Sequence, residues 1–231
     1  IVIQGYKRSH ADAHIFCTKI EHDAVYKTCE ALEAKFINVD EQGRVKTEDL
    51  KDLNSGDLVC VMAVNNETGV VQDLETIANF VHERGALLLV DAVQSFYAYD
   101  AKTICKLADY AVFSGHKLGS LQGVGMLMIK NRKSISSLMY GGSQEWELRP
   151  GTTPAYLCDS FSNVFGNKFD DQNREHEISY VKKLRDNFES MIKDEISDIV
   201  INSCDADRSA HISSIRFSDI ESQMMVAMLD E

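Results

Sequence analysis

The sequence has little of several features that define other classes of protein. Only two of its 231 residues are proline, Pro150 and Pro154, and both lie in one short stretch, which excludes a proline-rich linker. No apolar run reaches the roughly 20 residues that a membrane-spanning helix needs, and the chain opens without a secretory signal. These absences favour a globular protein, which we expect to be soluble and cytoplasmic.

Basic residues are also in short supply. The chain has 24 Lys and Arg against 36 Asp and Glu, a formal net charge of −12. An acidic surface repels phosphate backbones and anionic lipid, so we expect neither nucleic acid nor membrane as a partner. A small anionic ligand could still bind where backbone N–H groups converge.

The six cysteines are scattered, and no two form a CxxC pair. In a chain of this length that pattern predicts reduced thiols of a cytosolic protein. We expect neither a disulfide framework nor a metal site.

Strand and helix patterns alternate along the chain. Leu58–Val64 and Ala86–Val90 are apolar throughout, as are strands buried on both faces of a parallel sheet, and Asp73–Glu83 between them has one apolar face. Four further strands are predicted at His14–Thr18, Ala34–Val39, Tyr110–Ser114 and Val124–Ile129. The sequence therefore predicts an α/β fold with a mostly parallel sheet and flanking helices.

The pattern changes near residue 170. A charge-rich amphipathic helix follows, then strands at Ile199–Asn202 and His211–Phe217 and a helix from Ser222. We predict a large domain at 1–170, and a linker helix with the start of a small α+β domain at 171–231. The chain opens on Ile1 and closes within a helical pattern, so we expect a fragment of a longer protein.

Polar groups follow three of the predicted strands. Ligands of open parallel sheets bind beyond the carboxyl ends of the strands. This edge would receive amide, carboxylate, hydroxyl, imidazole and amine groups from Asn65–Gly69, Asp91–Ser95 and Ser114–Lys117. A lysine beside a carboxylate suits an aldehyde cofactor that carries a phosphate, since the amine bonds the aldehyde and the carboxylate keeps a ring nitrogen protonated.

Each of these residues has a simpler explanation when taken alone. Asp91 could cap a helix, Asn66 could serve a turn, Ser114 could cap a turn, and Lys117 could be a solvated lysine. Their joint occurrence after consecutive strands favours the cofactor site.

The order of these motifs resembles the cysteine desulfurases, which are class V aminotransferase-like enzymes of fold type I. The resemblance is carried by EHDAV at Glu21–Val25, VNNETG at Val64–Gly69, VDAVQSF at Val90–Phe96, SGHK at Ser114–Lys117, GGSQE at Gly141–Glu145 and RPGT at Arg149–Thr152. It covers nearly the whole chain and implies the large domain of a pyridoxal-phosphate enzyme.

The resemblance implies a role for each matching position. Lys117 would bond the cofactor and Asp91 would pair with its ring nitrogen, while His22 would stack on the ring and move protons. The remaining contacts would be Asn66 and Gln94 at the ring oxygen, Ser114 and His116 at the phosphate, and Thr152 at the phosphate of a partner subunit. A homodimer with shared sites is therefore expected.

The implied reaction is release of L-alanine from L-cysteine, with the sulfur passed to a thiolate and on to an acceptor protein, as in iron–sulfur cluster assembly. The family's first phosphate-binding turn would lie before Ile1, and its catalytic cysteine loop and substrate-binding arginine beyond Glu231. None of the six cysteines matches that loop, so we expect the chain as given to be inactive.

Two alternatives stay open. One is another class V enzyme, a selenocysteine lyase or an aminotransferase, because substrate choice depends on segments outside this chain. The other is a truncated, non-catalytic scaffold that dimerises or binds an assembly partner.

Overall fold

The computed structural model describes residues 1–168 and 171–230. Its helices are α1 Val2–Ser9, α2 Asp23–Ala31, α3 Leu74–Glu83, α4 Ala101–Leu107, α5 Gly115–Leu118, α6 Ala155–Lys168, α7 Asp171–Glu195 and α8 Ser222–Leu229. Its strands are β1 Ile15–Thr18, β2 Lys35–Ile37, β3 Leu58–Met62, β4 Leu87–Asp91, β5 Tyr110–Ser114, β6 Gly125–Ile129, β7 Ile199–Ile201 and β8 Ile215–Phe217. None of the helices in these ranges is long and apolar enough to cross a membrane.

Six strands form the main sheet in the order β2-β1-β3-β4-β5-β6. The first five are parallel and β6 is antiparallel to β5. The predicted mostly parallel α/β fold is confirmed. Asp91 pairs with Met62 on one side and Val112 on the other, so neighbouring strands end at one edge.

Helices cover both faces of the sheet, which is why its central strands are apolar at every position. Val59 and Val61 of β3 pack with α3 and α4 on one face. Leu58 and Cys60 face the other way, onto α1 and α2. The usual alternation of apolar and polar residues along a strand is therefore absent here, because both faces of the strand pack into the core.

The ends of α3 follow from local chemistry. The Asp73 carboxylate accepts a hydrogen bond from the backbone N–H of Thr76 at 3.0 Å and caps the helix. Gly85 follows the last turn with φ of +69°, a conformation that glycine adopts without strain. The predicted helix at Asp73–Glu83 therefore begins one residue later, at Leu74.

The structure differs from the sequence prediction at several elements. The pattern of Thr47–Leu53 predicts a short helix with Thr47 as its N-cap, but the structure forms a single 3-10 turn, Thr47–Leu50, with Lys46 at the N-cap position. The predicted strand at His211–Phe217 is only Ile215–Phe217. Before it, the His211 ring contacts Gln94 and the Ser213 hydroxyl bonds to Glu189. The helices α1, α4, α5 and α6 were not predicted.

From residue 171 onward the described chain consists of α7, the antiparallel pair β7–β8 and α8. The predicted boundary at residue 170 lies outside the described residues, and the division into two domains stays a prediction.

Candidate functional site

Asp91 is the last residue of β4, at the centre of the edge where the parallel strands end. Its side chain is buried, and its Oδ1 accepts a hydrogen bond from the Val93 N–H at 3.0 Å. Burial raises the pKa of Asp91, while the Val93 hydrogen bond and the charge of His22 act in the opposite direction. A cation placed beside this buried carboxylate would stabilise its charged form.

His22 is the N-cap residue of α2, close enough to Asp91 for its charge to act on that carboxyl group. Its Nδ1 accepts a hydrogen bond from the backbone N–H of Ala24 at 3.2 Å, which orients the ring at the helix start. The side chain is exposed at the sheet edge. A ring held in this way can both cover a ligand and move a proton.

Glu21, the residue before His22, is a second buried carboxyl group at this edge. Its Oε1 accepts hydrogen bonds from the Thr18 hydroxyl at 2.5 Å and the Met62 N–H at 2.7 Å. Burial raises its pKa to about 8, and the nearby Asp91 adds to the effect. The raised pKa of Glu21 therefore favours its protonated, neutral form near pH 7.

Two adjacent asparagines in the loop after β3 have different contacts. Asn65 builds the turn, since its Oδ1 accepts from the N–H groups of Glu67 and Thr68 and its Nδ2 donates to the Ile20 carbonyl. The turn role considered for Asn66 thus belongs to Asn65. Asn66 is half-exposed and lines a cleft of about 580 Å³ together with His22.

The predicted SGHK motif sits where β5 passes into the single turn α5. The Ser114 hydroxyl and His116 Nδ1 are 2.9 Å apart, within hydrogen-bond distance. The side chains of His116 and Lys117 are exposed. This placement leaves the amine of Lys117 accessible one strand away from Asp91.

Gln94 is linked to a residue that sequence reasoning missed. Its amide Oε1 lies 3.0 Å from His211 Nε2, although the two residues are far apart in the chain. Burial lowers the pKa of His211 to about 4, and the positive charge of Lys117 contributes. His211 is therefore neutral and belongs to the same neighbourhood as Gln94 and Lys117.

Thr152 is placed differently from the other predicted residues. It is exposed in the loop before α6, and within residues 1–168 and 171–230 no hydrogen bond joins it to the rest of the site. Two residues were missed, Glu21 and His211. Glu21 had a signal, since it precedes His22 in the quoted EHDAV segment, whereas nothing local marks His211.

The donor set fits an aldehyde cofactor with a pyridine ring and a phosphate. The buried Asp91 carboxylate would gain a charge partner from a protonated ring nitrogen. The Lys117 amine could bond the aldehyde, and the pair Ser114 and His116 could donate to the phosphate.

Comparison with known proteins gives consistent matches. The family described as aminotransferase class-V matches residues 1–231. The protein named cysteine desulfurase IscS of Edwardsiella ictaluri is 30% identical over 227 residues, which cover 94% of this chain and 55% of that protein. The chain thus spans about half the length of this curated relative.

Solved structures agree with the fold. A NifS-like protein from Rickettsia africae aligns with a TM-score of 0.87 and 27% identity, over 98% of this chain and 65% of that one. The structure of SspA in complex with cysteine aligns with a TM-score of 0.75 and 26% identity, over 97% of this chain and 64% of the other.

Proposed function

Because the chain belongs to the aminotransferase class-V family, whose cofactor is pyridoxal 5′-phosphate, we propose that it carries the cofactor site of a cysteine desulfurase. The observation that carries the proposal is the buried carboxylate of Asp91 at the sheet edge, with His22 beside it and Lys117 on the next strand end. The relatives named cysteine desulfurase support the choice within the family.

The proposed roles follow the positions. Lys117 would hold the cofactor through its amine and, once released, would carry the proton taken from the substrate's Cα. Asp91 would keep the ring nitrogen protonated, and His22 would cover the ring and assist proton movement. Asn66 and Gln94 would contact the ring oxygen, and Ser114 with His116 would hold the phosphate.

The bound cofactor would supply an electron sink for negative charge at the substrate's Cα. We propose L-cysteine as the substrate, a choice supported by the similarity to SspA, whose structure contains cysteine. With an acceptor thiol, the balanced products are L-alanine and a persulfide on that thiol. Delivery of this sulfur to an acceptor protein, for iron–sulfur cluster assembly in the cytoplasm, belongs to the same proposal.

The proposal includes a homodimer in which Thr152 reaches the phosphate at the partner's site. The loop that carries Thr152 is exposed, and so are the large side chains of Tyr140 and Trp146 before it, at 77% and 71%. Exposed aromatic side chains of this size are typical of interfaces between subunits.

The proposal is tested by reducing the bond between the cofactor and its lysine, so that the two stay covalently joined. The purified protein is incubated with pyridoxal phosphate and reduced with borohydride, and the modified peptide is identified by mass spectrometry. We expect the adduct on Lys117, loss of the visible band in Lys117→Ala, and an unchanged band in the control Lys133→Ala, which removes an exposed lysine. An adduct on another lysine, or none, would contradict the proposal.

Turnover is tested separately. We propose that the 231-residue protein binds cofactor without completing the reaction, since none of its six cysteines matches the catalytic loop that the resemblance implies. The hydrogen bond to Cys29 and burial raise the pKa of the Cys17 and Cys60 thiols, which disfavours the reactive thiolate at these two positions. Release of alanine from cysteine by the purified protein would overturn this part and leave the cofactor site intact.

A further inference from the structure

A segment from beyond α7, Asp207–Ser213, returns to the edge of the main sheet. The Val71 N–H donates to the Asp207 carbonyl at 2.9 Å, and the Ser209 N–H donates to the Gly69 carbonyl at 2.8 Å. Gly69 leaves room for the segment, because a Cβ in its place would lie 3.0 Å from the Cβ of Ile212. The segment is thus joined to the loop that carries Asn66.

A buried ion pair holds the same segment to α7. The guanidinium of Arg208 donates two hydrogen bonds of 2.8 Å to the carboxylate of Glu189, and both side chains are 8% exposed. The hydroxyl of Ser213 donates to Glu189 Oε1 at 2.8 Å, and Arg185 donates to the Ser209 carbonyl at 2.8 Å. His211 lies between these anchored residues along the segment.

Three contacts define the orientation of the His211 ring. Its Nε2 lies 3.0 Å from Gln94 Oε1, its Nδ1 lies 3.0 Å from the Ser209 hydroxyl, and the ring stacks on Tyr97 with centroids 4.4 Å apart. An amide oxygen can only accept, so Nε2 carries the proton, and in the neutral ring Nδ1 then accepts from Ser209.

The charged and titratable groups around the ring agree with this tautomer. Tyr97 donates its hydroxyl to Glu177 of α7 at 2.7 Å, and Lys117 of α5 opposes protonation of His211. The contact with Gln94 requires a proton on Nε2, and the lowered pKa of His211 keeps the ring neutral with that single proton.

The contact with His211 determines which atoms of the Gln94 amide stay available for a ligand. Its amide oxygen is taken by His211, and in the described part of the chain no hydrogen bond is made by its amide nitrogen. We propose that His211 is a positioning residue, which holds the Gln94 oxygen so that the amide nitrogen donates to the ring oxygen of the cofactor. The inference rests on the proposed function.

The test follows the pH titration of the visible band of the bound cofactor. A donor at the ring oxygen stabilises its negative charge, so loss of the donor raises the midpoint of the titration. We expect His211→Phe, which keeps the stacking on Tyr97, and Gln94→Leu each to raise the midpoint by about one pH unit, given the strength of hydrogen bonds to charged groups.

The double variant shows whether the two residues act together. If His211 acts through Gln94, His211→Phe combined with Gln94→Leu shifts the midpoint no further than Gln94→Leu alone. His211→Gln, which keeps a neutral donor, should recover part of the wild-type value. Thermal unfolding of each variant separates these shifts from loss of folding.

The outcomes distinguish the two proposals. A titration unchanged in His211→Phe but shifted in Gln94→Leu would overturn the positioning role and leave the cofactor site standing. Additive shifts in the double variant, or no shift in either single variant, would overturn it as well. Loss of the band from Lys117→Ala remains the separate test of the site itself.

Discussion

Glu21 is a single residue whose protonation affects the stability of the whole chain. Its pKa is about 8 in the folded protein and 4.5 as a free side chain. Between these values the folded state keeps a proton that the unfolded state releases. The free energy of unfolding therefore falls as pH rises through this window, by at most about 1.4 kcal/mol per pH unit, and levels off above it.

We expect Glu21→Gln to remove this dependence while keeping an acceptor for the Thr18 hydroxyl and the Met62 N–H. Urea unfolding of both proteins at about pH 5.5 and about pH 8.5 measures the difference, with the exposed Glu30→Gln as control. Equal pH dependence in wild type and Glu21→Gln would show that Glu21 ionises normally.

Among the elements, α7 and the segment Asp207–Ser213 are joined by the buried pair of Glu189 and Arg208. Arg208→Ala leaves a buried carboxylate without its counter-charge, and we expect a loss of about 3–5 kcal/mol in the free energy of unfolding. The combined change Glu189→Leu and Arg208→Met, which removes both charges, should recover most of this loss.

Hydrogen exchange shows where the loss occurs. The N–H groups of Val71 and Ser209 form the hydrogen bonds between the segment and the loop after β3. We therefore expect Arg208→Ala to increase the exchange rates of these two N–H groups, relative to wild type, more than those of the central strands. The exposed Lys183→Ala on α7 serves as control. Protection of Val71 and Ser209 equal to wild type would mean that the pair does not hold the segment.

For the molecule as a whole, stability depends on the apolar sheet between its two helix layers. Leu88 in β4 is fully buried, whereas Leu121 is 54% exposed. We expect Leu88→Ala to lower the free energy of unfolding by about 2–5 kcal/mol, and the matched Leu121→Ala by less than about 0.5 kcal/mol. Denaturant unfolding followed by circular dichroism compares them, and similar losses would contradict the assigned core.

The sequence predicted those parts of the molecule whose pattern is local. Strands β3 to β5 and helix α3 were predicted because apolar runs and a one-faced helical pattern are contained in short windows. Helix α4 was missed because it has seven residues and only two buried positions, Ala101 and Ile104, which is too short for a clear periodicity.

For the candidate site, too, the sequence predicted the features that depend on local pattern and not those that depend on distant contacts. The parallel topology brings the ends of neighbouring strands together, so the placement of Asp91 and Lys117 at one edge could be predicted. The burial of Glu21 and the contact of His211 with Gln94 could not, because both depend on side chains packed from distant parts of the chain. The roles of the individual residues stay predictions.

The return of residues 207–213 to the sheet edge also bears on how the protein is made. The last strand of the sheet ends at Ile129, and His211 follows it by roughly 80 residues, which a ribosome adds in about 4–16 s. During that interval the sheet can fold while the neighbourhood of Gln94 is still incomplete. A nascent chain would therefore complete the surroundings of Gln94 only after α7 and residues 207–213 have been synthesised and packed.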